Sequence, residues 1–489
     1  MPATAKDHAV PRLRGSLLLG MAGELRRDYL GTLERAAAAH GDVVELAAGP
    51  PGRRVRFHLV THPDGVQRVL AGGWDGYAKD NPFYREMAAA LGDGLLTSNG
   101  QRWRQQRRTL APLFAHHHIA DYVPAMADEA VGVVRRWAAA SSRQRAGTGP
   151  PGRVDLHAEM VEYTLRVVGR ALFGASVDDA VPVVRETFPV LSEQVRRRGI
   201  APVNLPRSWP TPAQRRALAA QRALYAAVDA VVERRRGTPG GSRAATKPPG
   251  GDLVSLLLAA RDPRTGAPLS AREVRDQALV FLLAGHETTA TTLTFACHLL
   301  GRHPDVQRRA RREVDQVLAG RLPAAADVAK LTYTTMVAKE AMRLYPPAYA
   351  FGRRAVAADR IGGYRIAPGS VVVLSPWVTQ RRPDLWPDPE RFDPERFDPA
   401  APAPHRYAFF PFGGGPRACI GGHFAMTEAV VALAVLLGAL ELRSDPAPVP
   451  LRTAITLRPA GPVRCEVVPR RPAAGASTAP GVPGAARRP

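Results

Sequence analysis

A mainly α-helical fold carrying a few small β-sheets is what this sequence predicts. Three observations point to it: apolar residues recur at helical spacing through most of the chain, the strand-like segments are short and few, and no repeat of solenoid length is present. A chain of 489 residues can bury a large core, and 45% hydrophobic residues is ordinary for a soluble protein. With 46 prolines and 44 glycines, many turns are expected.

Taken in order, YLGTLERAAAA from Tyr29 to Ala39 reads as a helix, and GDVVEL with RVRFHLV as two strands joined by the turn GPPGR, a small N-terminal sheet. Residues 63–71 and 103–113 look helical and flank a polar, aromatic segment suited to wall a pocket. VDLHAEMVEYTLRVVGRALFG is an amphipathic helix with its stop at Gly174. Residues 181–236 hold two helical stretches joined by the proline-rich GIAPVNLPRSWPTP, and 237–251 form a low-complexity loop read as a surface insertion. SAREVRDQALVFLLAGHETTATTLTFACHLLGRH is a long apolar helix, followed by a second from about Asp305 to Ala319. Next come the helical KLTYTTMVAKEAMRLYPP, a strand pair around IGGYRIAPGSVVVLSPW, the segment WPDPERFDPERFDP and the buried helix IGGHFAMTEAVVALAVLLGALEL. Residues 1–10 are expected to be flexible and the tail 471–489 disordered, leaving one folded domain over 11–468.

The formal charge is +23, and only five of the 67 basic residues are lysine. So strong an arginine bias reads as a solvated surface rather than a nucleic-acid site, since no zinc-finger spacing or aromatic-interleaved basic module accompanies it. The same charge can steer an acidic protein partner. Three widely spaced cysteines, Cys297, Cys419 and Cys465, exclude a disulfide framework and fit a reducing cytoplasm. The early run SLLLGMA is too short for a membrane span, and no other apolar stretch approaches ~20 residues free of charge. The adjacent His116, His117 and His118 cannot converge on one ion and are read as a loop feature.

Two segments carry chemistry. FGGGPRACIG, Phe412 to Gly421, sets Cys419 in a glycine-rich loop before a helix, where amide donors and the helix dipole favour a thiolate. Taken alone, a cysteine is more often buried and inert. AGHETT, Ala284 to Thr289, places a carboxylate and two hydroxyls inside an apolar helix. A threonine bonded back to a carbonyl one turn earlier explains part of this, but a buried Glu287 needs a partner. Glu340 and Arg343, three apart on a helix, can pair.

Phe412, Gly415, Arg417, Cys419 and Gly421 together resemble the haem-ligand loop of the cytochrome P-450 family, the haem-thiolate monooxygenases. The resemblance spans roughly residues 11 to 468 and implies a single triangular helical prism with small sheets, holding heme b (iron protoporphyrin IX). It makes Cys419 the iron ligand, whose thiolate favours O–O bond cleavage. Ala284, Gly285, Glu287 and Thr288 match the family's oxygen-activating helix, which implies a helix bulge, proton delivery by Glu287 and Thr288, and Ala284 beside the haem. Glu340 and Arg343 match the Glu-x-x-Arg element, with Arg396 preferred over Arg391 as its third member. Trp103, Arg107, Arg354 and Arg417 match the groups that reach the haem propionates, with Arg353 the alternative to its neighbour and Lys79 a weaker candidate. Gln380 stands where many relatives have histidine.

The implied activity is insertion of one oxygen atom from O2 into a C–H bond of a hydrophobic small molecule. A terpenoid or polyketide is favoured, then a fatty acid or steroid, since the expected pocket segments are largely apolar. No flavin or iron–sulfur segment is recognised, so a ferredoxin with its NAD(P)H-dependent reductase is the expected electron source. A soluble cytoplasmic monomer is expected, without nucleic acid and without a membrane span.

Overall fold

After a short helix at Ala22–Arg27, Asp28 begins a longer one by accepting the Gly31 N–H at 3.0 Å. This helix, α1 (Tyr29–His40), stops at Gly41, whose φ of +81° turns the chain into the expected strand pair, β1 (Val43–Ala48) and β2 (Val55–Val60). The structure is a computed structural model and describes residues 9–145, 153–174, 180–201, 204–237 and 252–470. Nearly all of the 1–10 and 237–251 segments, and the whole tail 471–489, lie outside the described residues.

After the short β3 (Tyr77–Ala78), Asn81 accepts the Tyr84 N–H at 3.1 Å and caps α2 (Pro82–Leu91). There follow α3 (Gly100–Leu110), α4 (Val123–Arg145), β4 (Arg153–Asp155) and α5 (Leu156–Phe173), the last ending at Gly174 with φ +70°. Helices α6 (Ala180–Gly199) and α7 (Pro212–Gly237) fill the expected 181–236 stretch. Ser270 and Glu273 form a reciprocal capping box that opens the longest helix, α8 (Ala271–Arg302). The remaining long elements are α9 (Pro304–Leu318), α10 (Thr332–Leu344), β5 (Phe351–Ala355), β6 (Asp359–Ile361), β7 (Tyr364–Ile366), β8 (Val371–Leu374), α11 (Gly422–Ala439), β9 (Leu440–Ser444), β10 (Leu451–Thr453), β11 (Leu457–Pro459) and β12 (Arg464–Pro469).

The strands differ from the sequence reading in their partners. β1 and β2 are not a separate sheet: β2 pairs in parallel with β8, giving the order β1-β2-β8-β5-β3. The IGGYRIAPGSVVVLSPW segment splits, with β6 and β7 forming a hairpin while β8 joins this main sheet. His116–Ala120 is a short helix rather than a loop, and the His116 ring stacks on His423 with centroids 3.9 Å apart.

Two apolar cores meet along α8. Its first half, Val274 to Leu283, packs with Leu165 and Val168 of α5, Phe188 of α6 and Leu224 of α7. Its second half, from Ala290 to Leu300, packs with Trp137 of α4, Tyr163 of α5, Val337 of α10 and Leu433 of α11. Each fully buried aliphatic side chain contributes about 1.5–3 kcal/mol. The polar residues 284–289 lie between these two cores. Helix α11 is long and apolar enough to cross a membrane by length and composition, yet Val431, Leu433 and Leu437 are fully buried in the core.

Behind the Cys419 loop, α10 is locked by charge. Arg343 and Glu340 are fully buried and paired through Nε at 2.7 Å and Nη2 at 2.8 Å. Arg343 also donates to the carbonyls of Gln380, Pro389 and Arg391, while Arg396 Nε lies 3.6 Å from Glu340. Gln380 donates to the carbonyls of Met342 and Arg343 and accepts the Phe410 N–H, all at 3.1 Å. An amide does this fully, so glutamine fits where histidine was the expected residue.

Arg343→Ala leaves Glu340 buried without its bidentate partner and is expected to cost about 3–5 kcal/mol, read as a lower urea midpoint; Arg396→Ala should cost less. Burial also holds His157, His286 and His298 neutral, pushing each from 6.5 down to about 4. The unfolded chain therefore binds more protons in this window. Stability is full above about 6.5 and falls as pH drops toward 4, and urea titrations across that range should show the slope, flattened in His298→Leu.

Candidate active site

The approach to Cys419 is shaped by a glycine that no other residue can replace. Gly415 has φ +62°, and a Cβ there would lie 1.9 Å from the Leu70 carbonyl oxygen. The Cys419 N–H donates to the Phe412 carbonyl at 2.9 Å, closing the loop under the sulfur. The sulfur accepts the Gly421 N–H, which with Arg107 and Lys79 favours the thiolate, although burial outweighs them and pushes the thiol up. Cys419 is surrounded by protein on this side and yet remains exposed, so it borders an opening in the interior. A Cβ on Gly421 would meet no atom within 4 Å.

Beside the sulfur stand cations without acids. Arg417 donates to the Ser98 carbonyl at 3.1 Å, lies 4.2 Å from the centre of the Trp103 ring, and its Nε has no partner. Burial, then Arg353, pushes the Arg417 guanidinium down to about 10. Lys79 is buried against the Leu96 carbonyl at 3.0 Å and held well below the usual lysine range by burial, Arg353 and Arg417. Arg353 is 5% exposed and touches the Tyr84 hydroxyl at 3.4 Å. Arg107 is half-buried, and burial lowers it while Cys419 raises it. Among the described residues, none of these four has a carboxylate partner.

Arg354 does not join them. Adjacent strand residues point to opposite faces, and Arg354 turns outward to Asp80, Nη2 to Oδ2 2.7 Å, with its side chain partly exposed. The expectation from sequence is corrected accordingly: Arg353 is the member of β5 that lies in the cluster. Lys79, the weaker candidate, lies there as well.

On α8 the Thr288 hydroxyl donates to the Ala284 carbonyl at 2.7 Å. The helix runs through this turn without a break, so the bulge implied by the resemblance is absent and the hydroxyl is held by its own helix. Ala284 is exposed and Thr288 partly so, although the residues around them are buried, so this flank of α8 also borders an opening. Gly285 has a packing role: a Cβ there would lie 3.0 Å from Val168 of α5. Glu287 is 3% exposed; it accepts from the Thr456 hydroxyl and pairs with Arg458 Nη1 at 3.5 Å. Burial raises this carboxyl, while Thr456 and Arg458 oppose the shift. Sequence reasoning missed Thr456, in the β10–β11 turn, and Arg458, in β11, some 170 residues away. It missed Glu428 of α11 too, a fully buried carboxyl that burial holds well above the usual range while the Thr289 hydroxyl opposes the shift.

A family model described as Cytochrome P450 matches residues 13–464. The chain belongs to the cytochrome P450 family. It is 39% identical to cyclooctatin synthase of Streptomyces melanosporofaciens over 88% of this chain and 90% of that one. It is 33% identical to pentalenene oxygenase of Streptomyces avermitilis over 88% and 90%. Among solved structures it resembles the cytochrome P450DA heme domain, with TM-score 0.80, 27% identity and coverage of 95% and 99%. This P450 is therefore a monooxygenase with heme b as its cofactor and a mainly helical P450 fold.

The residues present suit that cofactor. Haem is planar and carries two propionates, so it needs an axial donor and cationic groups at one edge. Cys419 offers the donor, and Lys79, Arg107, Arg353 and Arg417 offer cations that no carboxylate neutralises. Arg353→Gln is expected to lower haem retention on purification and hasten haem loss to apomyoglobin, whereas Arg354→Gln should leave both unchanged.

Proposed function

We propose that this P450 hydroxylates a terpenoid, with Cys419 as the iron ligand and Glu287 and Thr288 as its proton-handling residues. The observation that carries the reading is the pairing of two openings inside buried elements: the Cys419 sulfur beside unneutralised cations, and the Ala284–Thr288 flank of α8. We take the haem to lie between them, within one domain over 11–468. Trp103 stacks Arg417 in place, and Lys79, Arg107, Arg353 and Arg417 hold the propionates.

Haem, when bound, supplies the activation of O2 and the attack on the C–H bond. The protein supplies the rest. Phe412 and Gly421 shape the loop around the sulfur. Thr288 Oγ1 carries a proton that it now donates in a hydrogen bond to the Ala284 carbonyl; a turn about its χ1 aims the hydroxyl at the opening. Glu287, after letting go of Thr456 and Arg458, takes up a proton from solvent and passes it to the Thr288 oxygen. The pocket excludes water with apolar walls: Phe281 and Phe188 are buried near Ala284, and Tyr349 spends its hydroxyl on the Ala454 carbonyl at 2.7 Å. Such walls offer no charged group to a substrate carboxylate.

The terpenoid class is supported by relatives named cyclooctatin synthase, cyclooctat-9-en-7-ol 5-monooxygenase and pentalenene oxygenase. Electrons come from a ferredoxin and its NAD(P)H-dependent reductase, steered by the basic surface, in a cytoplasmic monomer. Thr288→Ala is expected to keep haem but to lower product per NAD(P)H consumed while peroxide release rises; unchanged coupling removes Thr288 from proton delivery. Cyclic terpenes should shift the haem spin state at lower concentration than fatty acids or steroids, and the reverse order would redirect the substrate assignment.

A further inference from the structure

The three consecutive histidines at 116–118 are joined in space by a fourth. The short helix His116–Ala120 packs on the first turn of α11, where the His116 ring lies on His423 with centroids 3.9 Å apart and planes 15° from parallel. His117 and His118 continue the cluster, their own rings 4.1 Å apart. His116, His117 and His423 are exposed. His423 follows Cys419 by four residues, so the cluster stands on the outer side of the loop that carries the sulfur.

Two neutral imidazoles can lie flat against each other, whereas two imidazoliums so placed repel. Burial, then His116, lowers the proton affinity of His423. Among the described residues neither His116 nor His423 has a carboxylate partner. The acids of the elements packed around them are engaged elsewhere: Asp262 with Arg108 at 3.0 Å, Glu129 with Arg170 at 2.7 Å and Asp252 with Arg235 at 2.8 Å, while Glu428 of α11 is fully buried. Asp121, which closes the short helix, is the nearest acid in sequence. Of the nearby cations, Arg107 is raised by Cys419 and Arg417 donates to the Ser98 carbonyl. An acidic protein surface supplies the anion that the stack lacks. A carboxylate set against it favours the charged form and draws a proton from solvent as the surfaces meet. Electron transfer weakens steeply with distance, so an acidic electron donor is the partner with reason to settle beside the Cys419 loop.

We propose that the His116–His423 stack is a proton-taking contact for an acidic ferredoxin, so that docking of the electron donor is tied to uptake of about one proton. This rests on a ferredoxin as the donor and adds a contact that makes its docking pH-dependent. The complex holds the proton more tightly than the free protein does. The added affinity is therefore fully present below the free-protein value, which lies under 6.5 for His423, and is lost as pH rises through the higher value in the complex. Ferredoxin carboxylates, with ordinary values of about 4, titrate below this window. So do the buried His157, His286 and His298, each at about 4.

The test is calorimetric titration of the purified haem-loaded protein with a plant-type [2Fe–2S] ferredoxin, between about pH 6 and 8 and in buffers of different ionisation enthalpy, which gives the affinity and the protons taken up together. Docking is expected to be about tenfold tighter at the acid end, with about one proton taken up per complex. His116→Asn/His423→Asn should take up none and lose the pH slope while its salt dependence remains. His423→Arg carries a fixed charge and should dock at the alkaline end about as tightly as the wild type does at the acid end. Both side chains are exposed, and a thermal melt with the haem absorbance checks that the variants remain folded and loaded. The proposal is overturned by wild-type docking that is equal across this range, or by proton uptake that the double variant leaves undiminished; either result leaves ferredoxin as the donor. No docking at any pH would overturn the proposal and the donor assignment together.

Discussion

Like charges gathered inside a protein have to be answered by an anion, and at one edge of this interior they are not answered by any carboxylate. Lys79, Arg107, Arg353 and Arg417 come from four separate segments, and burial, followed by repulsion among them, depresses the lysine and the Arg417 guanidinium. Assembling them costs free energy that only a bound dianion can return. A cofactor that binds the folded chain alone adds its binding free energy to stability. The loop around Cys419, the cradle on Gly415 and the lock of Glu340 on Arg343 all serve to hold this edge and the sulfur in register.

The acid of α8 is set in a different way. Glu287 is not free to reach the opening, because Thr456 of the β10–β11 turn and Arg458 of β11 hold it. That turn is fastened on its other sides by the Ile455 N–H to Ser192 of α6, and by the Leu457 carbonyl to the Thr291 hydroxyl at 3.1 Å. A buried carboxylate with one cation and one hydroxyl is stable where it lies, so the proton delivery we propose for Glu287 requires this small network to loosen. Movement of α6 is the displacement most directly connected to it.

Much of this was legible in the sequence, for physical reasons. The capped, periodic helices at Ala271–Arg302 and Gly422–Ala439 declare themselves because one face, or every face, is buried. Gly413 and Gly415 before Cys419 declare a tight loop because their positive φ angles favour glycine. Strand partners were less legible: β2 finds β8 more than 300 residues away, and short strands carry no mark of their partner. Arg353 and Arg354 differ only in the face of β5 they occupy, which one residue of register decides. Thr456 and Arg458 carried no local signal, since their meaning comes from Glu287 across the fold. The helix bulge implied by family resemblance was a statement about relatives; in this chain Thr288 bonds within an unbroken helix.

The central claim is that a thiolate at Cys419 holds haem between the cationic edge and α8. The most direct measurement is the absorption spectrum of the dithionite-reduced protein with and without carbon monoxide. The account predicts a strongly red-shifted Soret band characteristic of thiolate ligation, lost in Cys419→Ser. A band at the position typical of histidine ligation, or a folded protein that takes up no haem at all, would contradict it.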